Sequence, residues 1–141
     1  KIKSYLNGAI TVESRIVPAE ERTWTPDDRG EVTVVLKDKN VNFIEYAEFS
    51  REGVKRGHHY HTDYVEYLYV LSGRIKVIAH VFSTGEEITF EVEKCDMLTI
   101  QPNVAHGFIS LSRAEVLTSG YGANPFEDRK VFSAFSKELY E

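Results

Sequence analysis

His59 and His61 stand two residues apart in the stretch GVKRGHHYHTDYVEYLYVLSG (53–73), and Glu66 follows five residues later. On an extended strand, positions i and i+2 project from the same face. The two imidazoles can therefore converge on one point, and a carboxylate on the next strand can form a third corner. His106, in QPNVAHGF, supplies a fourth group of ligand type. Three imidazoles and a carboxylate suit Zn, Fe, Ni or Mn, and ligand type does not choose among them. An ion so held, with open positions left, polarises a carbonyl as a Lewis acid or activates a water. The chain has five histidines. His58 has the opposite strand parity to His59 and is expected to point away from the site, and His80 to pack locally.

These groups need strands to hold them, and short β-type runs recur: EVTVVL (31–36), NFIEYAEF (42–49), VEYLYVL (65–71), RIKVIAHVF (74–82), EITFEVE (87–93), DMLTIQ (96–101), HGFISL (106–111) and AEVLTS (114–119). Turn residues punctuate the joints, as at Ser72-Gly73, Ser83-Thr84-Gly85 and Gln101-Pro102-Asn103. Strands separated by turns roughly every 8–12 residues predict an all-β sandwich or barrel. In 74–82 the alternation puts Ile75, Val77, Ala79 and Val81 on one face and Lys76, Ile78, His80 and Phe82 on the other. In 87–93, Ile88, Phe90 and Val92 read as the buried face. The run 65–71 is apolar on both faces apart from Glu66, and a carboxylate there is costly unless paired or coordinated. The one helical candidate is the tail, 131–141, where Val131, Phe135 and Leu139 fall at helical spacing.

The 141 residues predict a single domain, 1–141, with one core. A formal net charge of −5 argues against nucleic acid, whose phosphates require a basic face. A lone cysteine, Cys95, excludes an internal disulfide framework and fits a reducing compartment. No apolar run approaches the roughly 18 residues of a membrane span. A soluble cytoplasmic protein is the resulting expectation.

The segment Gly53–Gly73 resembles the first signature of the cupin superfamily, G-x5-H-x-H-x4-E-x6-G, with every fixed position met: Gly53, His59, His61, Glu66 and Gly73. The second signature, G-x5-P-x-G-x2-H-x3-N, is matched in part. His106 is in place, but Cys95 and Asn103 replace its two glycines and Ser110 its asparagine. The resemblance implies a double-stranded β-helix, the cupin jelly-roll barrel, with a short C-terminal segment, and a metal held by His59, His61, Glu66 and His106.

A narrower resemblance covers roughly residues 25–120. Arg56-Gly57-His58-His59-Tyr60-His61, Asp27-Asp28-Arg29-Gly30 and Ala114-Glu115-Val116-Leu117 are similar to elements of the dTDP-4-dehydrorhamnose 3,5-epimerases and dTDP-4-keto-6-deoxyhexose 3,4-ketoisomerases. His80-Val81 with Glu87–Val92 resembles the C-terminal cupin of capsule-type nucleotide-sugar reductase/epimerases. These likenesses imply an epimerase or isomerase of a nucleotide-linked 4-keto sugar in polysaccharide precursor biosynthesis, working as a homodimer. Arg56 and Arg29 suit a diphosphate clamp as planar, always-charged forks. Of Tyr60, Tyr64, Tyr67, Tyr69 and Phe108, one or two are expected to stack on the nucleobase or sugar, Tyr60 and Phe108 foremost.

Two departures bear on mechanism. The epimerases carry a tyrosine acid where this chain has Thr118, which leaves Tyr121 as the candidate proton donor. They also use the histidine equivalent to His59 as a base, with His61 the other candidate here. An imidazole whose lone pair binds a metal cannot take a proton, so the two roles compete. The alternatives are a metal-dependent cupin dioxygenase or decarboxylase at the same four residues, and a non-catalytic sugar- or metabolite-binding cupin.

Overall fold

The computed structural model describes residues 2–14 and 28–136. Eleven strands are present among them: β1 (Ile2–Tyr5), β2 (Ile10–Ser14), β3 (Phe43–Phe49), β4 (Lys55–Tyr60), β5 (Tyr64–Ser72), β6 (Arg74–Val81), β7 (Glu87–Glu93), β8 (Asp96–Ile100), β9 (Val104–Ser110), β10 (Ala114–Gly122) and β11 (Lys130–Val131). They form two antiparallel sheets, one of order β1-β2-β8-β5-β10-β3 and one of order β11-β4-β9-β6-β7. Face to face these make a jelly roll, as the turn spacing predicts.

The inner faces meet in one apolar core. Ile10, Phe49, Leu68, Val70, Ile75, Val77, Val92, Leu98, Ile100 and Val116 are essentially sealed from solvent within it. The alternation in β6 and β7 falls as read: Ile75, Val77 and Ala79 point into the core, with Ile88 and Phe90 packed against it. On the outer side of β6, Ile78 packs with Ile109 and Phe135.

The Gly73 turn between β5 and β6 shows why the signature requires glycine. Its φ is +82°, and a Cβ there would lie 2.2 Å from the Arg113 carbonyl oxygen. The glycines that the second signature lacks are replaced at positions with the same backbone demand. Cys95 has φ +75° and Asn103 φ +65°, a left-handed conformation that asparagine tolerates better than most residues. Ser110 fills the asparagine position and remains a tether. Its hydroxyl donates to Arg51 O (2.6 Å) and accepts from Val54 N (2.9 Å), fixing the β3–β4 connection.

Three expectations need correction. Residues 31–36 form no strand. Val35 and Leu36 lie against Tyr67, Tyr69 and Met97 on the outer face of the six-stranded sheet, so this segment crosses a face instead of extending an edge. Its apolar residues are satisfied by that packing. The β-structure also reaches beyond residues 25–120, because β2 pairs with β8 and β11 with β4. Finally, the tail begins as β11 and not as a helix, and residues 132–136 continue without helical structure. Phe132 and Phe135 instead join an aromatic cluster with His80. Residues 137–141, the rest of that expected helix, lie outside the described residues, as does Asp27.

Candidate metal centre and cavity

β4 and β9 run side by side in the five-stranded sheet, and their ladder sets His59 directly opposite His106. A β-bulge interrupts that ladder between Gly57 and His59, with His58 at φ +61°. The extra residue turns the His58 ring outward, onto Gly107 and edge-on to Phe135, while His59 faces inward. His61 follows one residue beyond β4, and Glu66 rises from β5 in the opposite sheet. The four predicted ligand residues meet, each offering an atom within 4.8 Å of the others. His59 lies with its ring centroid 4.9 Å from His61 and 4.8 Å from His106.

The donor set fits a metal ion by its hydrogen bonding. His61 donates from Nδ1 to the Asp128 carbonyl oxygen (2.5 Å), and His106 from Nδ1 to the Val104 carbonyl oxygen (2.9 Å). With each Nδ1 carrying a proton, each Nε2 faces the centre of the cluster, His106 Nε2 by its lone pair and His61 Nε2 toward Glu66, where a cation would displace the shared proton. His61 Nε2 lies 3.4 Å and His106 Nε2 3.8 Å from Glu66 Oε1. His106 Nε2 is buried and has no hydrogen-bond partner. A buried polar atom of this kind is unusual without an explanation, and a divalent cation would provide one.

The electrostatics agree. Burial, aided by the neighbouring His106, lowers the His59 pKa to about 3, and burial lowers that of His106. Both imidazoles are therefore neutral and available as ligands at ordinary pH. Burial also disfavours the charged form of His61, but its bonds to Glu66 and Asp128 prevail and raise its pKa. Glu66 is the counterpart. Burial opposes its ionisation, yet His61 and the other imidazoles hold its pKa below the usual carboxylate value.

This cluster borders a cavity of about 490 Å³. Phe49, Leu68, Phe108 and Val116 give it an apolar base continuous with the core. Arg56 and Arg129 bring guanidinium groups to it, and Glu45, Tyr64 and Thr118 bring polar ones. Arg56 is held in place by two hydrogen bonds from its guanidinium to Glu48 O (3.0 and 2.7 Å). Thr118 donates to Glu45 across the β3–β10 ladder (3.2 Å). Burial, with help from Glu66 and Glu45, pushes the Tyr64 hydroxyl well above the ordinary tyrosine range.

Among the other residues singled out in the sequence, Arg56 and Phe108 line the cavity, whereas Arg29, Tyr60 and Tyr121 do not. Tyr60 follows His59, so strand parity sends it to the opposite face, where it meets Phe82. Tyr121 has the parity opposite to Thr118 and is 52% exposed on the outer side of β10. Arg29 is exposed in the segment that precedes residues 31–36. Of the two tyrosines in the lining, Tyr46 is exposed and Tyr64 is buried, and the second arginine is Arg129. Arg129 belongs to the segment that follows β10 and folds back over the cavity, carrying Pro125 and Phe126 with it. No motif marks that segment. Its only local signal is a run of turn-forming residues, Gly122-Ala123-Asn124-Pro125.

Two antiparallel sheets in jelly-roll order, with three histidines and a glutamate converging between them, define a cupin-type barrel. The model of the polysaccharide biosynthesis C-terminal domain family matches residues 25–131, and the chain belongs to that family. No curated protein matches the chain. Solved structures of similar fold include dTDP-4-dehydrorhamnose 3,5-epimerase from Sulfolobus tokodaii. It is 24% identical with a TM-score of 0.76, over 95% of this chain and 82% of that one. The corresponding epimerase from Bacillus anthracis, with TDP and PPi bound, is 15% identical with a TM-score of 0.77, over 99% and 88%. QdtA, a sugar 3,4-ketoisomerase from Thermoanaerobacterium thermosaccharolyticum in complex with TDP, is 17% identical with a TM-score of 0.68, over 86% of each chain.

Proposed function

We propose that this protein is a metal-binding epimerase or ketoisomerase of a nucleotide-linked 4-keto sugar, serving polysaccharide precursor synthesis. One observation carries the reading. A four-residue donor set of metal type borders a cavity that also presents two guanidinium groups, a carboxylate and a buried tyrosine. The similar fold of epimerases and a ketoisomerase of nucleotide sugars supports the substrate class.

His59, His61, Glu66 and His106 would hold a divalent ion, which when bound would supply a Lewis acid for a sugar carbonyl. Arg56 and Arg129 suit a diphosphate, because a planar, permanently charged fork pairs with phosphate oxygens. Proton transfer then falls to the cavity's other groups, since imidazoles committed to a metal cannot act as bases. Glu45, which lines the cavity, would take the proton from the carbon next to the carbonyl, leaving an enolate. Tyr64 stays protonated in its buried site and can return a proton to the opposite face or to the neighbouring carbon. This assignment gives Tyr64 the acid role that the sequence left to Tyr121.

A metal-dependent dioxygenase or decarboxylase would use the same four residues but leaves Arg56 and Arg129 without a task. We read the working form as a cytoplasmic homodimer. Ile44, Tyr46 and Tyr121, each more than half exposed on the outer face of the six-stranded sheet, support pairing there. The decisive experiment incubates the protein with a nucleotide 4-keto sugar in D₂O. Deuterium at a ring carbon is expected, and its loss in a Glu45→Gln variant. No exchange with any such substrate would overturn the proposed chemistry. Metal analysis of the purified protein beside a His59→Ala/His61→Ala variant tests the centre separately, and equal, negligible metal in both would refute it.

A further inference from the structure

The segment between β10 and β11 does more than roof the cavity. It is pinned at both ends, by a hydrogen bond from Ala123 N to Asp63 O (2.7 Å) and by the pairing of Lys130 and Val131 with Tyr60 and His59. Near its far end, two residues before β11, lies Asp128, whose carboxylate is seated in the turn that joins β4 to β5. It accepts bonds from Thr62 N (3.0 Å to each oxygen), the Thr62 hydroxyl (2.6 Å) and Asp63 N (2.7 Å). Burial would raise its pKa, but these donors hold it below the usual aspartate value. The same residue's backbone carbonyl receives the Nδ1 proton of His61. One residue thus grips the turn with its side chain and orients the adjacent imidazole with its main chain. The next residue, Arg129, lines the cavity.

We infer that Asp128 is a positioning residue: its clasp on Thr62 and Asp63 holds the Asp128 carbonyl against His61 and thereby aims His61 Nε2 at the metal site. The inference rests on the metal-binding reading above and extends it to a residue outside the four ligands. Four contacts from three donors to the carboxylate fix where the carbonyl sits. Without them the segment between Ala123 and Lys130 loses its side-chain anchor on the β4–β5 turn, and the His61 ring loses the bond that sets its tautomer and its angle. Groups that orient a metal-bound histidine in this way commonly change affinity about 10- to 100-fold when removed.

The test compares the full chain with Asp128→Ala and Asp128→Asn at pH 8. Zinc affinity is measured against a chelating indicator, and the His61 tautomer of the metal-free proteins is read by long-range ¹⁵N–¹H spectra. The Nδ1–H form is expected in the wild type and its loss in Asp128→Ala. Zinc binding should weaken by about 10- to 100-fold in the alanine variant. The asparagine variant, which keeps an acceptor oxygen for the turn, should recover part of both signals. Zinc affinity within twofold of wild type, together with an unchanged His61 signal in Asp128→Ala, would overturn the inference. If Asp128→Ala does not fold, Thr62→Val removes only the hydroxyl bond and decides the matter. A loss of about threefold is expected for one such bond, and an unchanged affinity refutes the clasp. If the wild type itself binds no zinc, the metal reading fails. The clasp is then judged on the tautomer alone, and its persistence in Asp128→Ala defeats it.

Discussion

Replacing His106 with leucine should make the metal-free protein more stable and the metal-loaded protein relatively less so. His106 is 1% exposed, and its Nε2 has no partner. An unsatisfied buried polar atom costs about 1–3 kcal/mol, and the bond from Nδ1 to Val104 O returns about 0.5–1.5 kcal/mol. Leucine is similar in bulk to imidazole and carries no polar atom, so it removes both contributions. The balance favours His106→Leu by roughly 1 kcal/mol, a rise in Tm of about 2–4 °C for a chain of this size. The metal reverses the order. At one hundred times its dissociation constant a ligand stabilises the fold by about 2.7 kcal/mol, a gain open to wild type and largely lost to the variant. Urea or thermal unfolding at pH 8, in EDTA and then in excess zinc, should show the two curves cross. A variant less stable than wild type by more than about 1 kcal/mol in EDTA would refute the reasoning about Nε2. An absence of any zinc shift in wild type would refute the reasoning about the site.

Gly73→Ala should destabilise the fold by roughly 2–5 kcal/mol, summing a left-handed alanine with an overpacked contact, since its Cβ would lie 2.2 Å from the Arg113 carbonyl oxygen. Denaturant unfolding would check this, and a loss under about 1 kcal/mol would show that the turn relaxes. Ser110→Ala removes both bonds that tether the β3–β4 connection and should cost about 2–3 kcal/mol by the same measurement. Tyr46 donates to Glu115 at 2.5 Å, and that bond, with minor desolvation, raises its pKa to about 12. The protonated hydroxyl makes the bond. Its contribution to stability is therefore present below the ordinary tyrosine pKa near 10 and is lost as pH rises through about 12. An ultraviolet titration should find one late tyrosine, and Glu115→Gln should return it toward the rest.

Much of the candidate centre was legible because its residues obey local rules. His59 and His61 are two apart at the end of one strand, Glu66 breaks an otherwise apolar run, and His106 follows a turn at the signature distance. The same parity, applied more strictly, would have excluded Tyr60, the neighbour of His59, from the cavity. It would also have placed Tyr121 outside once Thr118 faced inward. What parity could not reach was the segment after β10. Asp128 and His61 are 67 residues apart and meet only because the chain doubles back over the barrel. Arg129 and Phe126 arrive with it, carried by turns that have no period to read. Residues 31–36 misled for the opposite reason. Their β-branched pattern is genuine, but it is satisfied by lying on Tyr67, Tyr69 and Met97, not by joining a ladder.

The barrel is solid at one end and hollow at the other, and its stability and its chemistry are correspondingly divided. Ile10, Val70, Ile75, Val77, Val92 and Leu98 fill the closed half and take no part in lining the cavity. Arg129, Pro125 and Phe126 line the open half from a connection that, up to the two residues of β11, belongs to neither sheet. None of those three side chains belongs to the apolar core. On the proposed reading, such a scaffold would be retuned for different sugars by rewriting Pro125, Phe126 and Arg129, with the four candidate donors, Asp128 and the sheets left as they are.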